Sequence, residues 1–221
     1  MSLDSAFFSS AALWLANLLL AAALLLALRF APWSRLRDPE QLHVTLGTTV
    51  ALLLLWHMGA EVHAGLSFHL LGVTALTLML GWSLAVLTAT LALIGLTLNG
   101  DGDWAGFGLN ALVAGVVPIS LTYGLLILIR SYLPKQFFVY VLVNGFLCGG
   151  LVGIFSGYLA TGLLVASGAT TFAELRQTVL PFFPLMFLPE AMLNGWAMAV
   201  LVAFKPRWVY SFSDEQYLQG K

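Results

Sequence analysis

Three of the four histidines and one of the few acids in this chain fall within thirteen positions: His57, Glu61, His63 and His69. Imidazole nitrogens and a carboxylate at this density form a donor set for Ni, Co, Zn or Cu, and nothing in the spacing selects among those ions. If the segment is helical, His57 and Glu61 stand one turn apart on a shared face, while His63 lies about 120° around the axis from His57. Gathering all of them therefore requires an unwound stretch, which Gly65 permits. The alternative is that they are interfacial residues hydrogen-bonded to loop backbone. His43 reads as a solvated loop residue.

Other polar groups suggest other chemistry. Glu190 is an acid inside an apolar run and needs a partner, for which Asn194 is one turn away. Asn110, Asn144 and Asn194 read as groups that tie helices together. Gly145, Gly149, Gly153 and Gly157, with Gly150 beside them, make a small-residue stripe that allows close helix approach, either as packing inside a bundle or as a docking face for another subunit. Asp101 and Asp103 in Gly100-Asp101-Gly102-Asp103 lack the later ligands of a calcium loop and read as a turn. Cys148 reads as inert core. No phosphate-binding Gly-x-x-x-x-Gly-Lys-Ser/Thr occurs, so any ATP dependence must come from a partner. Gly153-Ile154-Phe155-Ser156-Gly157 only superficially resembles an intramembrane serine protease motif, because no histidine follows His69 to serve as a later base. His-Glu-x-x-His is also absent. The expectation is a protein that is not an enzyme.

The elements that must position these groups follow from composition. Of 221 residues, 60% are hydrophobic and only 9% are charged, and the mean hydropathy is +0.94. A water-soluble surface needs roughly 25% charged residues, so the chain is an integral membrane protein surrounded by lipid. Its unbroken Leu, Ala and Val runs argue for helices and against an alternating β-barrel. The runs are 6–30, 44–62, 67–98, 109–129, 137–166 and 178–204. The first is read as a mature helix, since Met1 to Ser10 carries no Lys or Arg.

Basic residues favour the cytoplasmic side of short loops. Arg29, Arg35 and Arg37, then Arg130 and Lys135, then Lys205, Arg207 and Lys221 all fall on one side if the run 67–98 crosses twice, turning near Gly81-Trp82. Only Arg176 then lies opposite. The expected architecture is all-α: a polytopic membrane helix bundle of about seven transmembrane helices, N-terminus outside and C-terminus cytoplasmic, with 1–221 forming a single integral membrane domain in the cell (inner or plasma) membrane. Pro181, Pro184 and Pro189 predict kinks in the last span. Net charge of −1 gives no reason to expect nucleic acid.

Three segments, in order, carry a family resemblance. Ser67-Phe68-His69-Leu70-Leu71-Gly72-Val73-Thr74, then Gly108-Leu109-Asn110 with Gly115, Pro118 and Tyr123, then Leu188-Pro189-Glu190-Ala191 through Asn194-Gly195, resemble the cobalt and nickel uptake permeases of the CbiM/NikM type. These are substrate-binding membrane subunits of energy-coupling factor transporters, a kind of ABC transporter permease. The resemblance implies uptake of a divalent transition metal (Ni, Co or Zn) as transported substrate, no bound organic cofactor, and a separate coupling membrane subunit with ATPase subunits as partners. It also implies an ion held by the N-terminal amine, a histidine directly after Met1, and the histidine matched by His69. Residue 2 here is serine, so His57, Glu61 and His63 are expected to supply the lost ligands beside His69. Binding by neutral imidazoles predicts uptake that weakens as pH falls through roughly 6.5. The rival expectation is a non-transporting membrane scaffold or assembly protein with structural histidines.

Overall fold

Apolar runs without water to bond to must close their backbone hydrogen bonds internally, and helices do so within one segment. The computed structural model describes residues 1–217 and is helical through most of them. Five helices are long and apolar enough to cross a membrane: α1 (Ser10–Phe30), α4 (Trp82–Asn99), α5 (Phe107–Tyr132), α6 (Phe137–Ala166) and the helix within Leu180–Phe204, whose α-helical part is α8 (Phe183–Phe204). The others are α2 (Pro39–His57), α3 (Val73–Leu80), α7 (Phe172–Thr178) and the short α9 (Asp214–Tyr217). In α2 the first turns carry Glu40, Gln41, His43, Thr45, Thr48 and Thr49, which dilute an otherwise apolar helix. α5 and α6 each contain a π-helical stretch, at Leu112–Val116 and Tyr140–Leu147.

α1 shows how the bundle is ordered. Ser9 caps it, accepting the Ala12 N–H at 3.3 Å, and only Ala16, Leu20, Ala23 and Ala27 are buried, a helical stripe facing α4 and α5. Trp14, Leu18 and Leu25 are 71%, 66% and 68% exposed, so the apolar bulk of this helix faces outward, as a lipid-facing helix requires.

The structure departs from the expected all-α class through a small three-stranded antiparallel sheet in the order β1 (Ser2–Leu3), β3 (Leu66–Phe68), β2 (Ala60–His63). Ser2 pairs with Ser67 and Leu3 with Leu66, and an irregularity between Glu61 and His63 bulges β2. Gly65 turns the hairpin at φ +79°, where a Cβ would run into the Phe7 ring. The second apolar run therefore stops being helical at His57.

The run 67–98 breaks at Gly81 (φ +78°), the expected turn, but the two parts are unequal, at eight and eighteen residues. Residues 67–72 are taken by the sheet and by Gly72 at φ +65°, leaving α3 only about 12 Å long. All eight α3 residues are buried. Its last carbonyls are bonded from outside: Met79 O accepts the Tyr210 N–H at 2.9 Å and Arg35 Nη2 at 3.2 Å, and Leu78 O accepts the Ser211 N–H at 3.0 Å.

The glycine stripe is internal packing. A Cβ at Gly145 would sit 3.2 Å from Met198 Cβ, at Gly149 2.8 Å from Asn194 Cβ, at Gly153 2.9 Å from Glu190 Cγ and at Gly157 3.1 Å from Phe183 Cζ. One face of α6 thus lies directly against α8 along its length.

Candidate metal centre

At the sheet end of the bundle the chain start is threaded into the protein. Leu3 gains a second strand-like partner from α5: its N–H donates to Asn110 Oδ1 (2.7 Å), and Asn110 Nδ2 donates to its carbonyl (3.0 Å). The Asp4 N–H donates to Gly65 O at 3.1 Å. Gly106 lets the segment approach, since a Cβ there would be 3.1 Å from Ser5 Cβ. Met1 and Leu3 are buried in an outer core with Leu66, Phe68, Leu109 and Phe183.

This threading brings the Met1 amine against His69 Nε2. His69 lies between β3 and α3, and its Nδ1 is 3.0 Å from Leu70 O. A carbonyl can only accept, so Nδ1 carries the ring proton and the Nε2 lone pair faces the amine. The Trp56 ring lies 5.4 Å from the imidazole, centroid to centroid, and Trp56 Nε1 donates to Leu71 O at 2.9 Å. The two nitrogens open on a cavity of about 50 Å³ that also touches Ser2, Thr97, Asp101, Asp103 and Asn110. Ser2, Asp101, Asp103 and Asn110 also line a polar cleft of about 390 Å³, together with Asp4 and Glu61.

Burial lowers the Met1 amine well below its ordinary value. A neutral amine beside a bare imidazole lone pair is a two-nitrogen donor set for a borderline transition metal.

The other expected ligands are not gathered around His69. His57 Nδ1 meets Asp101 Oδ2 at 2.7 Å, and Asn99 Nδ2 donates to the same oxygen at 2.7 Å; these two hydrogen bonds, Asn99 first, hold the Asp101 carboxyl below its usual range. His63 faces Ala64 O at 3.0 Å with Nδ1 and Glu174 Oε1 at 3.3 Å with Nε2, so both its nitrogens are already turned toward acceptors. Glu61 is exposed on β2, on the wall of the polar cleft. Among the described residues, no three His, Cys, Asp or Glu side chains are arranged to hold a metal.

Two parts of this region were missed from sequence. One is the chain start as a buried strand; its trace is Gly108-Leu109-Asn110, whose asparagine pairs with Leu3 and whose Gly108 could not carry a Cβ, because Asn17 backbone would lie 2.8 Å away. The other is the full set of Glu190 partners. Asn194 Nδ2 does donate to it, at 2.7 Å, but Glu190 also accepts the Leu71 N–H on Oε2 (2.7 Å) and the Gly72 N–H on Oε1 (2.8 Å).

A protein-family model described as the cobalt uptake substrate-specific transmembrane region, CbiM, matches residues 3–208. No curated protein matches the chain.

Proposed function

The chain belongs to the CbiM family of cobalt-uptake membrane components and is a multi-pass protein of the cell membrane, and on that premise we propose that it captures a divalent cobalt-like ion as cargo, with His69 as the central ligand. The observation that carries this reading is the Nε2 lone pair of His69 turned toward the Met1 amine in a small cavity that shares Ser2, Asp101 and Asp103 with a polar cleft. Neutral nitrogen donors suit cobalt, nickel and zinc over magnesium or calcium, which prefer oxygen. The carboxylates of Asp101, Asp103 and Glu61 on the cleft walls attract cations toward it. His57 and His63, committed to Asp101 and Glu174, brace the rim.

In this reading the cleft faces outward and the bundle crosses seven times: the five long helices, α2, and the segment in which the sheet hairpin and α3 together fill one crossing. The distribution of basic residues supports this orientation, with the N-terminus outside and the C-terminus inside. So does the meeting of Arg35 with Trp208 O and of Arg130 with Ser211 O at the end opposite the sheet. With no phosphate-binding loop in the sequence, energy for release comes from a separate coupling membrane subunit and its ATPases.

Equilibrium binding of Co²⁺, Ni²⁺, Zn²⁺ and Cu²⁺ to the purified protein tests the reading. The expected result is micromolar or tighter binding of at least one ion, lost in His69→Ala. Absence of binding of all four at micromolar concentration refutes it.

A further inference from the structure

α3 begins inside the protein, where its first N–H groups have no water to bond to, and an unpaired donor there costs several kcal/mol. Three of the N–H groups around this start end on two side chains of α8. Leu71 and Gly72 donate to the two oxygens of Glu190, and Ala75 donates to Asn194 Oδ1 at 2.8 Å. Asn194 is itself fixed, because its Nδ2 donates both to Glu190 Oε1 and to Glu190 O, each at 2.7 Å.

The other ends of the same peptide groups point at the metal pocket. A peptide unit is rigid and planar, so its C=O and N–H turn together. The unit joining Leu70 to Leu71 gives its N–H to Glu190 Oε2 and takes the His69 Nδ1 proton on its oxygen. The next unit, joining Leu71 to Gly72, gives its N–H to Glu190 Oε1 and takes the Trp56 Nε1 proton on its oxygen. One carboxylate thereby fixes two consecutive peptide planes, one orienting the imidazole and the other the tryptophan beside it.

We infer that Glu190 is a positioning residue for His69, acting through these two peptide planes, with Asn194 holding the carboxylate in place. Glu190 touches no ion; it sets the tautomer and direction of the ligand from the far side of the backbone, as outer-shell carboxylates do for metal-bound histidines. The inference rests on the reading of His69 as a cation ligand, and its test includes a readout that needs no metal.

That test compares the wild type with Glu190→Gln and Glu190→Asp, in detergent, by Co²⁺ binding and by diethyl pyrocarbonate modification of each histidine read by mass spectrometry. Glutamine places a donor where two N–H groups need two acceptors, so Glu190→Gln is expected to weaken Co²⁺ binding roughly tenfold or more. It is also expected to raise the modification rate of His69 severalfold in the metal-free protein while His57 and His63, as internal references, stay unchanged. Aspartate keeps both acceptors on a shorter arm and should give the same two changes at smaller size; it decides the matter if Glu190→Gln does not fold. A variant with a lowered unfolding temperature but wild-type His69 reactivity and Co²⁺ affinity overturns the inference. If the wild type binds no ion, the proposed function fails, and the His69 reactivity alone then decides: a selective rise supports the positioning role and no change overturns it.

Discussion

Replacing Gly153 by alanine adds a methyl at the point where α6 touches Glu190. That methyl would sit 2.9 Å from Glu190 Cγ and 3.3 Å from its Cβ, so the glutamate stem must retreat by about 0.5 Å to reach ordinary contact at 3.4 Å. The carboxylate holds Leu71 and Gly72 at 2.7 and 2.8 Å, and a shift of that size carries both bonds to the limit of good geometry, near 3.2 Å. Overpacking of this kind costs about 1–3 kcal/mol, offset by about 1 kcal/mol from replacing glycine in a helix. Gly162, on the same helix with nothing within 4 Å of its would-be Cβ, supplies the control that feels only the second effect. Gly153→Ala should therefore unfold below Gly162→Ala by the overpacking difference, at about 2–4 °C per kcal/mol for a chain of this size. Thermal unfolding in detergent measures the gap, and Co²⁺ titration of the same samples should show weaker binding only in Gly153→Ala. If both variants gain stability equally and bind Co²⁺ alike, the described contact between α6 and Glu190 is wrong.

Burial lowers the Met1 amine, so the unfolded chain takes up that proton first, below about 8, and the stability of the ion-free fold should fall as pH drops through that value toward the lowered one, which denaturation at stepped pH will show. His63→Ala should leave Co²⁺ affinity unchanged, since both ring nitrogens already face acceptors; a tenfold loss by titration would restore His63 to the ligand set. Arg35→Met removes the cation from the end of α3, where it bonds Met79 O and Gln41, and should lower stability by about 1.5–3 kcal/mol, the range for a charged hydrogen bond, without altering the histidine reactivities.

What was legible in the sequence was local. Gly81 marked the helix break because a left-handed residue ends a helix wherever it stands. Glu190 and Asn194, one turn apart, announced their own contact, and the four-residue glycine spacing announced a close helix pair. The family was legible through the motif that contains His69. The partners joined by long loops were not. Met1 and His69 are 68 residues apart, His57 and Asp101 44, and His63 and Glu174 111. Helical spacing put His57 and Glu61 on one face only while the segment was taken as helix; pairing of Leu66 and Ser67 with the chain start turned it into a hairpin instead. That pairing is a tertiary event, chosen because Leu3 in the Ser2–Leu3 strand finds an acceptor and a donor in Asn110, and no neighbour of Glu61 encodes it.

The short buried helix also sets a schedule for making the protein. At about 12 Å, α3 is far too short to enter a hydrocarbon core of about 30 Å unaided, and the carboxylate that receives the Leu71 N–H is encoded 119 residues later. At about 5–20 residues per second, translation leaves that N–H group without its acceptor for roughly 6–24 s after Leu71 is made. During that interval the segment between the hairpin and Gly81 has no partner for this donor, and the loop that carries His69 is fixed only when the last long helix arrives.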